Sequence, residues 1–419
     1  MSVPQEYEVI VIGGGPSGST AAALLAGMGR RVVLIEKEKF PRYHIGESLL
    51  PYSYFILQRL GLIERMKASH FPKKYSVKFV STNGKVSQPF YFFEHLKHEA
   101  AQTWQVVRGE FDHMLLENAR EKGARVLEET LVREAVLDND RVVGVKAAGR
   151  NGETYEFRAP MTIDASGRDA FSIIRRDWRV RDPYLNKMAL WTYYRGAVRE
   201  PGIDEGGITV AYLPEKGWFW YIPLPDDVIS VGIVGEMAYL YREGRDLEKI
   251  FDREVENNLW IKEHLAPGRR IEAFRATSEY SYRSKHCSAD GLLLVGDAFA
   301  FLDPVFSSGV FLALRSGEMA ADAVNRALTI GDTSAGQFDA YGRELCRGIE
   351  AMRNLVYAFY DQAFSFGDLL RKYPHLKGDT TDCLIGNLFR DFDPLFTAVG
   401  EFAKLPPPLP YGRAAVRGA

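Results

Sequence analysis

The chain is poor in the features that tie a protein to a membrane, to nucleic acid or to an oxidising compartment. Its three cysteines lack the C-x-x-C spacing of redox pairs and zinc sites, which favours a reducing compartment. Its 53 basic and 55 acidic residues leave a net charge of -2, so no basic footprint for nucleic acid is present. No run of about 20 apolar residues predicts a membrane span. The polar residues 1–8 lack the pattern of a signal peptide, so we expect a cytoplasmic protein.

One local cluster of histidines has a spacing that could hold a metal ion. Residues 94–99 read E-H-L-K-H-E, which places His95 and His98 three residues apart. Neither a third ligand nor an H-E-x-x-H pattern accompanies them. We therefore interpret the cluster as a solvated, charged turn and predict no metal site.

The first 36 residues have the pattern of a βαβ unit that binds a dinucleotide. An apolar run at 8–12 is followed at once by G-G-G-P-S-G, by an Ala- and Leu-rich segment, and by a second apolar run that ends at an acid. Glycines let the backbone approach a pyrophosphate, a helix N-terminus favours negative charge, and the acid can accept from a ribose hydroxyl. The predicted site comprises Gly13, Gly15, Ser17, Gly18 and Glu36.

Turn signals and hydrophobic patterning divide the chain into three parts. Residues 1–70, 100–170 and 277–330 contain short buried strands and helices typical of a nucleotide-binding domain. Residues 71–99 and 171–276 contain strand-like runs spaced by turn residues, which predict an antiparallel sheet, interrupted by one helix over 247–265. Residues 331–419 are predicted to be a helical cap.

The most distinctive stretch is W-F-W-Y-I-P at 218–223. Side chains alternate along a strand, so Trp218 and Trp220 are expected on one face, where two large rings form a wall. Taken alone, such a pattern is typical of an aromatic core strand.

Two other segments have a composition that favours ligand contact. The loop at 40–51 is rich in Arg, His, Glu and Ser, which is unusual for a core loop. Asp297 follows a buried strand and is well placed to accept from a sugar-like hydroxyl. The backbone amides of Ser308 and Gly309, at the next predicted helix start, form a plausible anion site.

Together these segments resemble the glutathione-reductase-type FAD fold that para-hydroxybenzoate hydroxylase shares. Within that group they resemble the flavin-dependent halogenases of the phenol and pyrrole type. The motifs, spread over residues 5–330, are the glycine-rich loop with Glu36, F-P-R-Y-H-I-G-E-S-L-L-P at 40–51, D-A-S-G at 164–167, W-F-W-Y-I-P at 218–223, G-D-A at 296–298 and D-P-V-F-S-S-G-V at 303–310. The resemblance implies an α/β fold with a Rossmann-like FAD-binding domain, an inserted antiparallel-sheet substrate domain and a helical C-terminal cap.

The resemblance also implies roles for individual residues. Lys74 is the implied catalytic residue, although Lys73 precedes it directly and Ser76 stands where the family has glycine. Trp218 and Trp220 would separate flavin from substrate, and Ser308 and Gly309 would bind halide. Besides the glycine-rich loop and Glu36, the implied FAD-binding residues are Arg42, His44, Ile45, Ser48, Arg108, Val132, Asp297 and Val310.

The implied activity is halogenation of an electron-rich phenol or pyrrole-like ring that depends on FADH2 and O2. Hypohalous acid, made from chloride or bromide, would be relayed to Lys74. A separate NAD(P)H-dependent flavin reductase would supply reduced FAD, because the sequence has no second G-x-G-x-x-G unit. The substrate would be either free or tethered to a carrier protein.

Two other functions are compatible with the same fold. A geranylgeranyl-reductase-like reductase or a monooxygenase would use FAD without halide chemistry; Lys74 and the tryptophan wall argue against both. An FAD-binding redox sensor is disfavoured because the cysteines are scattered and have no resolving partner.

Overall fold

A seven-stranded sheet carries the amino-terminal βαβ unit. The structure, a computed structural model, describes residues 4–214, 217–278 and 281–416. In spatial order the strands are Arg413–Ala414, His286–Ala289, Leu292–Leu294, Met161–Asp164, Val9–Ile12, Val32–Ile35 and Arg125–Leu127. The last five run parallel to one another. All four residues of Val9–Ile12 are buried, as expected for a parallel strand that is covered on both faces.

The helix Pro16–Gly27 begins directly after the glycine-rich loop, so the predicted strand–loop–helix order is confirmed. It packs against the helices Arg108–Glu121 and Ser308–Ile330. Close approach to the second of these depends on Gly317, because a Cβ there would lie 2.4 Å from the backbone oxygen of Ser17.

A four-stranded sheet covers the opposite face of the central sheet. Its strands are Gln5–Glu6, Thr154–Arg158, Arg141–Gly149 and Thr130–Asp138. Ile10 and Ile12 of the central sheet pack against Val145 and Phe157 of this layer. Alternate residues of one buried strand thus join two different cores.

The predicted antiparallel sheet is present. In spatial order its strands are Arg269–Arg270, Lys187–Arg195, Val228–Glu236, Trp218–Leu224, Ile208–Tyr212, Ser76–Val80 and Phe90–Tyr91, with Arg275–Ser278 also paired to Lys187–Arg195. The segment 76–80 comes from early in the chain and pairs in parallel with 208–212. This pairing joins the early excursion to the later meander in one sheet.

The two faces of the Trp218–Leu224 strand belong to different cores. Trp218, Trp220 and Ile222 lie in the core shared with the nucleotide-binding part, whereas Phe219 and Tyr221 pack on the other side. That other side is covered by two helices, Leu247–Glu256 and Leu259–Leu265, where one was predicted. The prediction of one helix was wrong because the Asn258 side chain accepts from the Ile261 N–H (3.1 Å) and so starts a second helix.

Two small sheets connect the layers. Their strands are Arg179–Arg181, Tyr282–Ser284 and Ala300–Phe301 in one and Lys73–Lys74 with Thr103–Trp104 in the other. The remaining helices of the first 330 residues are Ser53–Leu60, Ile63–Ala68, Phe92–His95, Phe171–Arg175 and Met237–Leu240.

The C-terminal region is mostly helical, as predicted. Its helices are Asp339–Tyr360, Phe366–Lys372, Lys377–Ile385 and Asp393–Val399. The tail then returns to the central sheet, where Arg413–Ala414 pairs with His286–Ala289. Among the described residues, no helix is both long and apolar enough to cross a membrane.

Candidate active site

The glycine-rich loop is closely packed at its first and third motif glycines and open at the second. A Cβ on Gly18 would lie 2.0 Å from the Gly13 oxygen, and one on Gly13 would lie 2.4 Å from the Ala165 oxygen. A Cβ on Gly15, by contrast, would meet nothing closer than a nitrogen of Arg42 at 3.6 Å. The first and third glycines therefore serve close packing, whereas the second faces open space at the start of the helix, which fits an FAD pyrophosphate.

Glu36 holds the loop in place. Its carboxylate accepts from the Gly14 N–H (2.7 Å) and from the Glu38 N–H (2.8 Å), and the side chain is buried. Ser17 is buried within the first turn of the helix. The carboxylate thus already has two partners and adjoins the position predicted for the adenosine ribose.

A buried ionic cluster sets the position of the 40–51 loop. Asp112 accepts from Nε and Nη2 of Arg108 (2.8 and 2.9 Å) and from Nη1 of Arg42 (2.9 Å). Burial raises the pKa of Asp112, but the charges of Arg108 and Arg42 outweigh burial and hold it below its usual value. Arg108 Nη1 also donates to the backbone oxygens of Ile45 (2.6 Å) and Gly46 (3.2 Å). Arg108 therefore orients the loop, and Arg42 lies beside the glycine-rich turn.

His44 is held neutral in this loop. Burial, together with the charge of Arg108, lowers its pKa to about 4. Its Nδ1 lies 2.7 Å from the Ile45 oxygen, so a neutral ring donates there and leaves Nε2 as an acceptor.

Asp297 and Gly309 line the same small cavity. Burial raises the pKa of Asp297 to about 6, although Arg168 and Arg108 act in the opposite direction. The Tyr282 hydroxyl donates to the backbone oxygen of Asp297 (2.7 Å), which fixes the turn. Val310 follows on the helix and lies near Gly46 of the 40–51 loop. The cavity therefore joins the predicted ribityl contact to the predicted halide turn.

Val132 belongs to the core between the central sheet and the four-stranded sheet. It is buried in the core with Ile35 and Phe157, and pairs with Ala147 across the four-stranded sheet. The predicted adenine contact stays a prediction.

The predicted halide turn precedes the longest helix in the described part of the chain, Ser308–Ile330. Ser307 has a left-handed backbone (φ 56°), which turns the chain sharply into the helix. The N–H groups of a helix's first turn lack partners within the helix, so those of Ser308 and Gly309 can bind an anion. A Cβ on Gly309 would meet no atom closer than 4.0 Å, which leaves open space beside it.

Lys74 is buried, whereas Lys73 is exposed. The Lys74 ammonium donates to Ser48 Oγ (2.9 Å) and to the Leu49 oxygen (3.0 Å), and lies 5.5 Å from the centre of the Phe92 ring. Burial lowers its pKa to about 7. Ser48, predicted to line the flavin, is here a direct partner of the lysine.

A cavity runs from Lys74 to the turn before the long helix. It is lined by apolar residues of several elements, by Lys74 and by the turn residues Val305, Phe306 and Ser307. Its volume is about 20 Å³, which is room for one or two water-sized molecules. Lys74 and residues 305–307, which directly precede the predicted halide residues Ser308 and Gly309, thus line one space, whereas Gly309 itself lines the cavity that contains Asp297.

The two wall tryptophans pack together, with ring centroids 6.1 Å apart, and both are buried. Each indole N–H has its own partner. Trp218 donates to the Tyr360 hydroxyl (2.9 Å) and Trp220 donates to Ser230 Oγ (3.1 Å). Both rings are therefore held in fixed orientations.

Glu47 is a site residue that the sequence did not single out within the polar loop. It is buried, and its Oε1 accepts from the Tyr193 hydroxyl (2.8 Å), which lies 2.9 Å from the Tyr43 hydroxyl. Burial raises its pKa to about 7. Because neighbouring side chains of an extended segment alternate, Ser48 points to Lys74 and Glu47 points the other way. The composition of the loop predicts a polar site. It does not predict which of the polar residues is buried away from water.

Comparison with known proteins agrees with this geometry. Residues 6–352 match the family described as FAD binding domain. The chain is 30% identical over 409 residues to a 1H-pyrrole-2-carbonyl-[peptidyl-carrier protein] chlorinase of Pseudomonas fluorescens, covering 92% of this chain and 90% of the relative. It is 32% identical to the corresponding brominase of Pseudoalteromonas luteoviolacea, covering 93% and 94%. The solved structure of the flavin-dependent brominase Bmp2 superposes with a TM-score of 0.86 at 28% identity, covering 95% and 98%.

The fold and the glycine-rich site define an FAD-binding oxidoreductase. The chain belongs to the flavin-dependent halogenases, as its resemblance implied. It is an enzyme whose cofactor is FAD.

Glu36→Ala is expected to weaken FAD binding by about 10-fold or more. The change removes two buried charge-assisted hydrogen bonds that shape the glycine-rich loop, each worth on the order of 1.5–3 kcal/mol. The measurement is a titration of the apoprotein with FAD, followed by flavin fluorescence. Exposed Glu6→Ala is the control. Unchanged affinity in Glu36→Ala would show that neither the loop nor the ribose depends on this carboxylate.

Proposed function

We propose that this halogenase acts on an uncharged, electron-rich ring of the pyrrole or phenol type, through hypohalous acid directed by Lys74. The observation that carries the proposal is the cavity that Lys74 shares with residues 305–307, which directly precede the predicted halide residues Ser308 and Gly309. In this proposal a small oxidant formed beside Ser308 and Gly309 reaches the Lys74 ammonium through this cavity.

Reduced FAD, when bound, supplies the electrons with which O2 is activated to oxidise halide. The residues of this chain supply position. Gly13, Gly15 and Gly18 suit the pyrophosphate, and Arg42 lies beside it. The amides of Ser308 and Gly309 are suited to hold the halide.

The tryptophan wall separates the two half-reactions in this proposal. Trp218 and Trp220 are buried and packed together, and we propose that they lie between the flavin and an organic ring beside Lys74, so that the ring has no direct path to the flavin. An aromatic hydroxylase of the same fold needs such a path. The wall therefore supports halogenation over direct hydroxylation.

Lys74 has the hydrogen-bond capacity to bind the oxidant. An ammonium has three donors, and its hydrogen bonds to Ser48 and to the Leu49 oxygen use two of them. The third is available to hypohalous acid in the cavity, where donation would orient it and make the halogen more electrophilic. With a pKa of about 7, the amine is also accessible for a covalent chloramine route.

The cavity lining supports a neutral ring as substrate. The surrounding side chains are Leu50, Val77, Phe79, Phe92, Ile208, Val210, Val305, Phe306 and Leu384. Lys74 is the one charged residue of this lining, so an amino-acid substrate such as free tryptophan would find no partner there for its ammonium group. The two relatives named above act on a pyrrole-2-carbonyl group bound to a carrier protein. We propose the same kind of tethered aryl group for this chain.

Entry of the ring requires aromatic side chains to move, because the cavity is far smaller than a pyrrole. Phe306 packs against Phe359 (5.7 Å) and Phe366 (6.3 Å), both from the C-terminal region. We propose that these rings part when the tethered substrate enters, and that a separate NAD(P)H-dependent reductase delivers reduced FAD.

The test combines the purified protein with FADH2, O2 and bromide, and reads the products by mass spectrometry. The substrates are a carrier-tethered pyrrole-2-carbonyl group, free phenols and pyrroles, and free tryptophan. Bromination of the tethered or neutral rings, with none of tryptophan, is expected. A product that has gained oxygen or hydrogen but no bromine, with bromide present, would favour the monooxygenase or reductase alternative.

A further inference from the structure

The C-terminal helix Asp339–Tyr360 places its last residue inside the site. The Tyr360 hydroxyl donates to Asp303 Oδ2 (2.8 Å) and accepts from the indole N–H of Trp218 (2.9 Å). All three side chains are buried. One hydroxyl therefore joins three segments that lie far apart in the sequence.

Asp303 is the first residue of the turn that leads to Ser308 and Gly309. Its Oδ1 accepts from the Val305 N–H (3.1 Å), and its own N–H donates to Ser281 Oγ (3.0 Å). The carboxylate thus shapes the turn and is the last acceptor of the hydrogen-bond chain from Trp218 through Tyr360.

Lys187 supplies a positive charge beside the hydrogen bonds that join Trp218, Tyr360 and Asp303. Its ammonium lies 4.3 Å from the centre of the Tyr360 ring and donates to Glu236 Oε1 (2.9 Å). A buried carboxylate next to a predicted halide site would repel the anion, so a nearby cation lowers that cost.

We propose that Tyr360 is a positioning residue, which fixes the Trp218 ring relative to the turn that begins at Asp303. A fixed ring keeps hypohalous acid on its path to Lys74. This inference rests on the proposed function. Trp220 donates instead to Ser230, so of the two wall tryptophans only Trp218 should lose its hydrogen bond when the Tyr360 hydroxyl is removed, while Asp303 loses one donor. A loosened ring opens the wall at the end nearest the turn, where the oxidant forms.

The test is Tyr360→Phe, with Tyr357→Phe as the matched control one turn earlier on the same helix. The first change removes the hydroxyl and keeps the ring that packs on Phe359. The control removes a hydroxyl that is bonded to Asp182 rather than to Trp218 and Asp303.

The first measurement uses protein labelled with 15N-tryptophan, whose six indole N–H groups give separate NMR signals. Trp218→Phe identifies the relevant signal. In Tyr360→Phe this signal should shift and exchange faster with solvent, while Tyr357→Phe should leave it unchanged. This NMR measurement does not require the protein to be catalytically active.

The second measurement compares the amount of oxidised halide that escapes into solution with the amount that halogenates the substrate. A soluble 1,3-diketone in the assay traps hypohalous acid that escapes, and mass spectrometry counts halogenated substrate. Tyr360→Phe should raise the escaped fraction several-fold and lower kcat for the halogenated product, with O2 consumption and substrate KM unchanged. Trp218→Phe removes the same hydrogen bond from the other end and should leak similarly, so poor folding of one variant does not end the test.

An unmoved indole signal together with an unchanged partition would overturn the proposal. If the unaltered protein forms no halogenated product, the proposed function fails, and the indole signal still decides whether Tyr360 holds Trp218.

Discussion

Lys74→Met is expected to lower halogenation of substrate by at least about 100-fold, the low end of what a positioned proton donor contributes. Methionine keeps a long apolar side chain in the cavity but cannot donate to hypohalous acid. Reduced flavin should still consume O2, because Lys74 is not among the residues predicted to bind FAD. The measurement compares brominated product by mass spectrometry with O2 uptake by electrode.

Lys73→Met is the matched control, because Lys73 is adjacent in sequence but exposed. Its halogenation rate should stay within about two-fold of the unaltered protein, as expected for a surface change with no buried partner. Full bromination by Lys74→Met, or a large loss in Lys73→Met instead, would remove Lys74 from the proposed mechanism.

Glu47→Gln is expected to make the apoprotein more stable than the unaltered protein at pH 8. At pH 5 this gain in stability should be much smaller. Burial raises the pKa of Glu47 from 4.5 to about 7, so the folded state holds a proton that the unfolded state loses above pH 4.5. The stability from the protonated carboxyl is complete below pH 4.5 and is lost as the pH rises through 7. At about 1.4 kcal/mol for each pKa unit, the loss approaches about 3 kcal/mol.

Urea unfolding of both proteins at pH 5 and pH 8 measures this effect. Glutamine can still accept from Tyr193 and carries no charge. Residue 47 of the variant should therefore make no pH-dependent contribution to its free energy of unfolding between pH 5 and pH 8. Glu6→Gln, at an exposed position, serves as control and should show no such change between the two pH values. A stability difference for Glu47→Gln that is independent of pH would mean that the carboxyl is hydrated or paired in solution.

Local features were predictable because they depend on short stretches of chain. The strand, glycine-rich loop, helix and second strand that end at Glu36 lie within 36 residues, and their order alone predicts the unit. The alternation of residues 218–222 between two faces also follows from the period of a strand. The helix predicted over 247–265 failed for an equally local reason, since the Asn258 cap outweighed a continuous apolar pattern.

The choice between the two lysines in our proposal depends on the fold. Lys73 and Lys74 are chemically alike and adjacent, and the motif alone left both as candidates. Pairing of the Lys73–Lys74 strand with Thr103–Trp104 turns Lys74 inward to Ser48 and Lys73 outward to solvent. Burial then makes Lys74 differ from Lys73 in its chemistry, because desolvation lowers the pKa of the Lys74 amine.

The sequence by itself determined the fold class, the FAD loop, the tryptophan strand and the resemblance to halogenases. These depend on residue order and on periodicity within single elements. Only the tertiary structure decided that Glu47 is desolvated, that Lys74 shares a cavity with the 305–307 turn, and that Tyr360 bonds both Trp218 and Asp303. The physical reason is that burial and hydrogen-bond partners are set by side chains far away in the chain, 142 residues in the case of Trp218 and Tyr360, and no local pattern encodes such a meeting.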